Sequence, residues 1–172
     1  MKKTTKNRIW SPSHSTRFGF GLVEVVIASA VLSVALLSIS GFFQATLRAS
    51  KHTEGWVQGS YLLEEGVEVV KLFRDMSYTG NLKTMSTTTN HYFLWNGTGW
   101  ATSTVNTFVD GKFERKYTLT DVKRDGTTKD ISATGNYDPD IKLVTVSVSW
   151  WTPVVGTTTR SIQTYVTNIL NN

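Results

Sequence analysis

The chain contains no cysteine. It therefore has no disulfide, no thiolate nucleophile and no Cys-ligated metal, and cysteine usage gives no sign of the redox compartment. Histidine is scarce. His14, His52 and His91 stand far apart, none with a second ligand at metal-binding spacing, so each reads as an ordinary polar residue. A Gly-rich phosphate loop, a nucleophile elbow and an HExxH helix are also missing, and no cluster of titratable residues stands out. An enzyme and a cofactor are not expected.

Acidic residues are absent from the first nineteen positions, which carry Lys2, Lys3, Lys6, Arg8 and Arg17. Eighteen Lys and Arg less these five leaves 13, matched by the 13 Asp and Glu, all of which follow Gly19. The net charge of +5 thus belongs to the leader, and without it the chain is formally neutral. A nucleic-acid role loses its support. Lys and Arg beside a membrane span stay on the cytoplasmic side, so the leader reads as a topology signal.

Charge of either sign is missing between Glu24 and Arg48, and Val25 to Phe43 is dominated by Val, Ile, Leu, Ala and Phe. That length matches a ~30 Å hydrocarbon core, which predicts a transmembrane helix with its N-terminus inside. A cleaved secretory signal shares the basic-then-apolar pattern, with small residues around Ser33 to Ser40 as its cut site. Against it stand the length of the tract, the acid near its start, and the Gly-Phe junction placed before the apolar run. Glu24 itself needs an explanation, because a carboxylate at membrane depth is costly and is by default a functional candidate whose partner must be found.

Gly19-Phe20-Gly21-Leu22-Val23-Glu24-Val25 resembles the cleavage and methylation motif of type IV prepilins and the pseudopilins of type II secretion. The resemblance implies that a prepilin peptidase cuts after Gly19 on the cytoplasmic face and methylates Phe20 as the new first residue, with Glu24 becoming the fifth. Gly21 departs from the family's usual Phe-Thr-Leu-Ile-Glu, and the leader is longer than in many major pilins. The physical case runs parallel. A new α-amino group is mostly cationic at neutral pH, and in the same low-dielectric layer it attracts the Glu24 carboxylate strongly. The family implies that the amine belongs to a neighbouring subunit, which makes Glu24 the assembly residue.

Helical signals continue from Gln44 to Met76, where Trp56, Leu63, Val67, Val70 and Phe73 recur at spacings of seven, four, three and three. Glu64, Glu65, Glu68, Lys71 and Arg74 lie mostly off this stripe and read as a solvated face. A helix from Leu22 to Met76 would be roughly 80 Å long. Gly41, Gly55, Gly59 and Gly66 interrupt it, each costing up to about 1 kcal/mol relative to Ala, so bends or local melting are expected there.

Ser77 to Asn90 reads as a surface loop. His91–Trp95 and Thr98–Trp100 predict a short hairpin around Asn96-Gly97, which with Thr98 also fits the N-glycosylation pattern, although the turn suffices to explain it. Phe113, Arg115, Tyr117 and Leu119 alternate with polar residues as a half-buried strand. Asp121 to Asp140 reads as a polar excursion. Some pseudopilins bind calcium in this half, which makes Asp125, Asp130, Asp138 and Asp140 the metal candidates, but their spacing fits no EF-hand and solvated turn acids are preferred. Val144, Val146, Val148 and Trp150 share one face of the clearest strand, and Arg160 to Leu170 should pair antiparallel with it across a turn holding Pro153 and Gly156. Trp95, Trp100, Trp150 and Trp151 read as core and sheet-face packing, with an adhesive patch as the alternative. This strand-Trp-turn-strand ending resembles the minor pseudopilin and PilV-like branch.

The expected architecture is α+β, a pilin fold with one long N-terminal helix on a small antiparallel sheet of about four strands. Its parts are a cleaved cytoplasmic leader at 1–19, a transmembrane helix half at 20–43, an amphipathic half at 44–76 and an extracytoplasmic β domain at 77–172. The resemblance implies a structural minor pilin or pseudopilin of a type IV pilus or type II secretion pseudopilus. Its partners would be prepilin peptidase, other pilin or pseudopilin subunits, the inner-membrane assembly platform and membrane lipid. The subunit would begin as a single-pass membrane protein, N-terminus cytoplasmic, and end in a cell-surface or periplasmic filament. The alternative is a signal-anchored extracytoplasmic binding or adhesion domain that never polymerises.

Overall fold

The computed structural model describes residues 21–152 and 155–171, so the leader with Gly19, and Phe20 after it, lie outside the described residues. The chain divides into two compact units, one ending at Leu47 and one running from Arg48 onward. One helix, α1 (Leu22–Tyr78), runs through the division, followed by six strands: β1 (His91–Trp95), β2 (Trp100–Ser103), β3 (Glu114–Arg124), β4 (Ile131–Ser132), β5 (Asn136–Thr152) and β6 (Gly156–Thr167). The sheet is antiparallel in every pairing, in the order β2-β1-β3-β5-β6, with the short β4 attached to β3. The arrangement is α+β.

The α1 residues of the second unit lie on this sheet along a seam made by Gly55, Gly59, Leu63, Gly66, Val70 and Phe73, all buried. Leu63, Val70 and Phe73 are where the apolar spacing placed them, whereas Trp56 and Val67 pack only partly buried at the margin. The glycines correct an expectation. Gly55, Gly59 and Gly66 keep helical φ/ψ, the one non-helical residue of α1 being Ser77 (φ −170, ψ 108), directly after the expected end at Met76. They serve instead as seats. A Cβ added at Gly55 would lie 2.9 Å from Trp150 Nε1, one at Gly59 2.7 Å from Trp150 Cζ3, and one at Gly66 2.7 Å from Val146 Cγ1. Removing side chains lets the helix backbone approach the sheet, so a local propensity loss of up to about 1 kcal/mol each is offset by burial of a whole indole, worth about 3–5 kcal/mol if truncated.

The sheet face beneath is the one that alternation predicts. Val144, Val146 and Val148 are fully buried and Trp150 is 2% exposed, while the residues between them are only half covered. Phe113, just before β3, and Tyr117 and Leu119 within it complete the core. Tyr117 is surrounded by His91, Phe93 and Phe73 rings, and burial pushes its hydroxyl pKa up to about 12 against the hydrogen bond with Thr102. Beyond Ser77 the expected loop contains one π-helical turn, Thr79–Lys83, tied down by fully buried Leu82, by Gly80 N–H donating to Ser77 Oγ at 3.0 Å, and by Asn81 Nδ2 donating to the Phe73 carbonyl at 3.1 Å. The last bond satisfies a helix-end carbonyl that would otherwise be orphaned.

Two further expectations are corrected. The sheet has six strands, not about four, and the Asp121–Asp140 excursion is mostly strand: β3 continues to Arg124 and β5 begins at Asn136. Charged cross-strand partners hold this extension together, because Arg124 Nε donates to Asp138 Oδ2 at 2.6 Å and Lys142 pairs with Asp121. The register shifts between Asp121 and Val122, leaving a β-bulge on the β5 side around Pro139, which has no N–H to contribute to a ladder. That shift breaks the period-2 pattern and makes the stretch read as polar loop.

Candidate functional site

In the first unit Gly21 caps α1: Glu24 N–H and Val25 N–H both donate to its carbonyl, at 3.0 and 3.3 Å. Glu24 therefore sits in the first turn, three residues after the cap, and its Oε2 reaches back to Gly21 N–H at 3.4 Å. This is half of a capping box, with a carboxylate placed at the positive end of the helix dipole. No Lys or Arg among the described residues pairs with it.

From Gly21 to Leu47 every residue is exposed, including Leu22, Val31, Leu37, Phe42 and Phe43, and the most apolar window is long enough to cross a membrane. The serine and threonine hydroxyls in it are self-sufficient. Ser29 Oγ donates to the Val26 carbonyl, Ser33 to Ser29, Ser38 to Val34, Ser40 to Leu36 and Thr46 to Phe42, at 2.7 to 3.0 Å. With its hydroxyls folded back on its own carbonyls, the segment presents no unsatisfied hydroxyl that an apolar environment would penalise. A continuous apolar surface of this extent calls for lipid or protein around it. Glu24 is the one charged group in the segment, and such surroundings leave it in need of a partner.

The remaining sequence candidates fall elsewhere. Asp125 Oδ1 accepts from Thr127 N–H and Thr128 N–H at 2.7 and 2.9 Å, as an Asx turn. Asp138 Oδ1 accepts from Asp140 N–H at 3.0 Å while Oδ2 takes Arg124, and Asp140 pairs with Lys83 at 3.4 Å. Asp130 is exposed, its N–H donating to Thr128 Oγ1. No group of three His, Cys, Asp or Glu that could hold a metal occurs among the described residues. His52 lies exposed on α1 with Trp56 Nε1 donating to its Nε2 at 3.2 Å, and buried His91 bonds the Ser86 carbonyl at 2.8 Å. Of the four tryptophans after Asn90, Trp150 is core, Trp100 half-buried, and Trp95 and Trp151 exposed.

The Asp138 environment predicts an acid response. The Asp140 backbone N–H and then Arg124 hold the Asp138 carboxyl below its ordinary range, and backbone N–H groups of Thr128 and Thr127 do the same to Asp125. With a depressed folded-state pKa, the unfolded chain binds more protons near pH 4, so the contribution is present above the unfolded pKa and is lost as pH falls through the folded one. Asp138→Asn should therefore flatten the fall of thermal stability below about pH 4, as read by melts of the two chains across that range.

Two cations are buried, Arg115 on the strand face that alternation marks and Lys142 without such a signal. Arg115, 4% exposed, pairs with Glu65, a residue that helical spacing alone assigned to the solvated face, and its guanidinium lies 5.2 and 5.1 Å from the Phe93 and Trp100 rings. Lys142, 2% exposed, bonds Asp121 and the Tyr137 hydroxyl; burial lowers its pKa, and those two partners outweigh that and raise it. The signal for Arg115 was present, since its parity matches Phe113 and Tyr117. No family model, curated protein or solved structure matches this chain.

Proposed function

We propose that the chain is a structural subunit of a pilin-like filament, a minor pilin or pseudopilin of a type IV pilus or type II secretion pseudopilus, cut after Gly19 and assembled through its N-terminal helix. The observation that carries this reading is Glu24: one carboxylate in the first turn of a helix whose apolar segment from Gly21 to Leu47 is wholly exposed, with no cation among the described residues to pair with. The amine released at Phe20 is its proposed partner, one residue before the Gly21 N–H that Glu24 already touches. Placed on a neighbouring copy, that amine would set the axial register as apolar helices bundle. The α+β architecture, with α1 seated on an antiparallel sheet, supports a pilin fold. Prepilin peptidase, sister subunits, the inner-membrane platform and lipid are the proposed partners.

The test is the intact mass of the full chain extracted from membranes of cells that express a prepilin peptidase. The expected product lacks Met1 to Gly19 and carries one added methyl group, and Gly19→Leu should leave the leader in place. Finding only the full-length mass with a competent peptidase present would overturn this proposal in favour of a signal-anchored domain.

A further inference from the structure

The β1–β2 tip is a tight loop of four residues between paired Trp95 and Trp100, whose rings meet edge-on at 5.5 Å. Asn96 N–H donates to the Gly99 carbonyl at 3.1 Å. The Asn96 side chain turns over the loop, and its Oδ1 accepts three hydrogen bonds: Thr98 N–H at 3.0 Å, Gly99 N–H at 2.9 Å and Thr98 Oγ1 at 2.9 Å. Two of these donors are backbone N–H groups, which fixes that atom as the oxygen and leaves the Nδ2 amine facing outward. Asn96, Gly97 and Thr98 are exposed, Gly97 has φ +95, and no atom lies within 4 Å of where its Cβ would be.

We infer that Asn96 is a built-in site of spontaneous deamidation, converting the hairpin tip from neutral to anionic. The nucleophile is the Gly97 backbone nitrogen, unshielded by any side chain. After solvent base removes its proton, that nitrogen bonds to Asn96 Cγ, and the Cγ=O electron pair moves onto Oδ1. The developing oxyanion lies where three donors already converge at 2.9 to 3.0 Å, the arrangement that stabilises a tetrahedral intermediate in acyl transfer. When the carbonyl re-forms, the Cγ–Nδ2 bond breaks and the amine, taking a proton from water, departs as ammonia into solvent. Water then opens the succinimide at either carbonyl, giving aspartate or isoaspartate at position 96 with no change of oxidation state. The product places a carboxylate beside exposed Trp95, and the isoaspartyl form lengthens the backbone within a turn whose closure depends on its present length.

Asn96-Gly97 is the sole Asn-Gly pair in the chain, so Asn106 and Asn136 serve as internal references. The purified full chain, incubated in heavy-oxygen water at mildly alkaline pH, is digested and read by peptide mass spectrometry. The expected result is solvent oxygen incorporated at position 96 well ahead of positions 106 and 136, with both aspartyl isomers present. Thr98→Val removes one donor from Oδ1 and should slow the conversion by between about two- and tenfold, the effect of losing one hydrogen bond. Gly97→Ala, which hinders the nucleophile, should slow it further. Conversion at position 96 no faster than at the references, or an equal or faster rate in Thr98→Val, would overturn the inference, the latter by showing that the three bonds protect the amide.

Discussion

Gly59→Leu should cost the sheet-bearing unit about 3 kcal/mol or more, although the substitution improves helix propensity by up to about 1 kcal/mol. A Cβ at position 59 already meets Trp150 Cζ3 at 2.7 Å, Cη2 at 3.0 Å and Cε3 at 3.3 Å. The indole has nowhere to go, because Gly55 closes over its Nε1 on one side and Phe113 and Trp56 flank it at ring-centroid distances of 5.8 and 6.4 Å. Relief requires α1 to lift from β5, which uncovers the largest buried side chain of the core. Against a typical total of about 5–15 kcal/mol this is a large fraction. The check is a thermal melt of the full chain in detergent, followed by the near-ultraviolet tryptophan signal. Trp150→Ala alone should also destabilise, yet combined with Gly59→Leu it should cost less than the sum, since the two volumes compete for one space. Gly41→Leu is the contrast: nothing lies within 4 Å of its added Cβ, so the sheet unit should melt unchanged. Strict additivity at 59 and 150 would show that the seam is not where the helix is held.

Glu24→Gln should be processed and inserted normally and then fail to assemble, with filament yield falling about tenfold or more, the scale of losing one charge pair in low dielectric. The glutamine variant separates two roles that the structure leaves superimposed. As a helix cap, Glu24 needs only an oxygen for Gly21 N–H, which glutamine supplies at the same length. As the partner of a cationic amine it needs the charge, which glutamine lacks. Sheared-filament yield together with the mass of the membrane pool distinguishes the outcomes. Cleavage with lost assembly supports the pairing role. Normal filaments from Glu24→Gln would reduce Glu24 to a cap and remove the proposed register device.

Local pattern carried the sheet and the direction of the helix. Alternation over Val144 to Trp150 put the right four residues in the core, and Asn96-Gly97 marked the β1–β2 tip. Misreadings arose where the deciding neighbour was distant in the chain. Gly55 and Gly59 look like weak points until Trp150 is placed against them, and Glu65, exposed as its spacing placed it, shows its ion pair only when Arg115 arrives from β3. The Asp121–Asp140 stretch failed for a different reason, since its bulge shifts the register and Asp121 spends its charge on buried Lys142 just beyond it. Glu24 was conspicuous from composition alone, because one acid in an apolar run violates the expected cost of charge. Its capping contact with Gly21 was not legible, as it depends on where the first turn begins.

The glycine seam also dictates an order of events. Gly55, Gly59 and Gly66 leave the ribosome long before β5, whose Trp150 and Val146 fill them. The gap of roughly 90 residues corresponds to about 5–20 s of synthesis at about 5–20 residues per second. Throughout that interval the seam lacks the β5 side chains that fill it, and β5 is the second last strand to emerge. Closing so distant a contact is slow. The seat for the indole is therefore complete only once β5 has been made, so the closest helix–sheet contacts join parts of the chain made far apart in time.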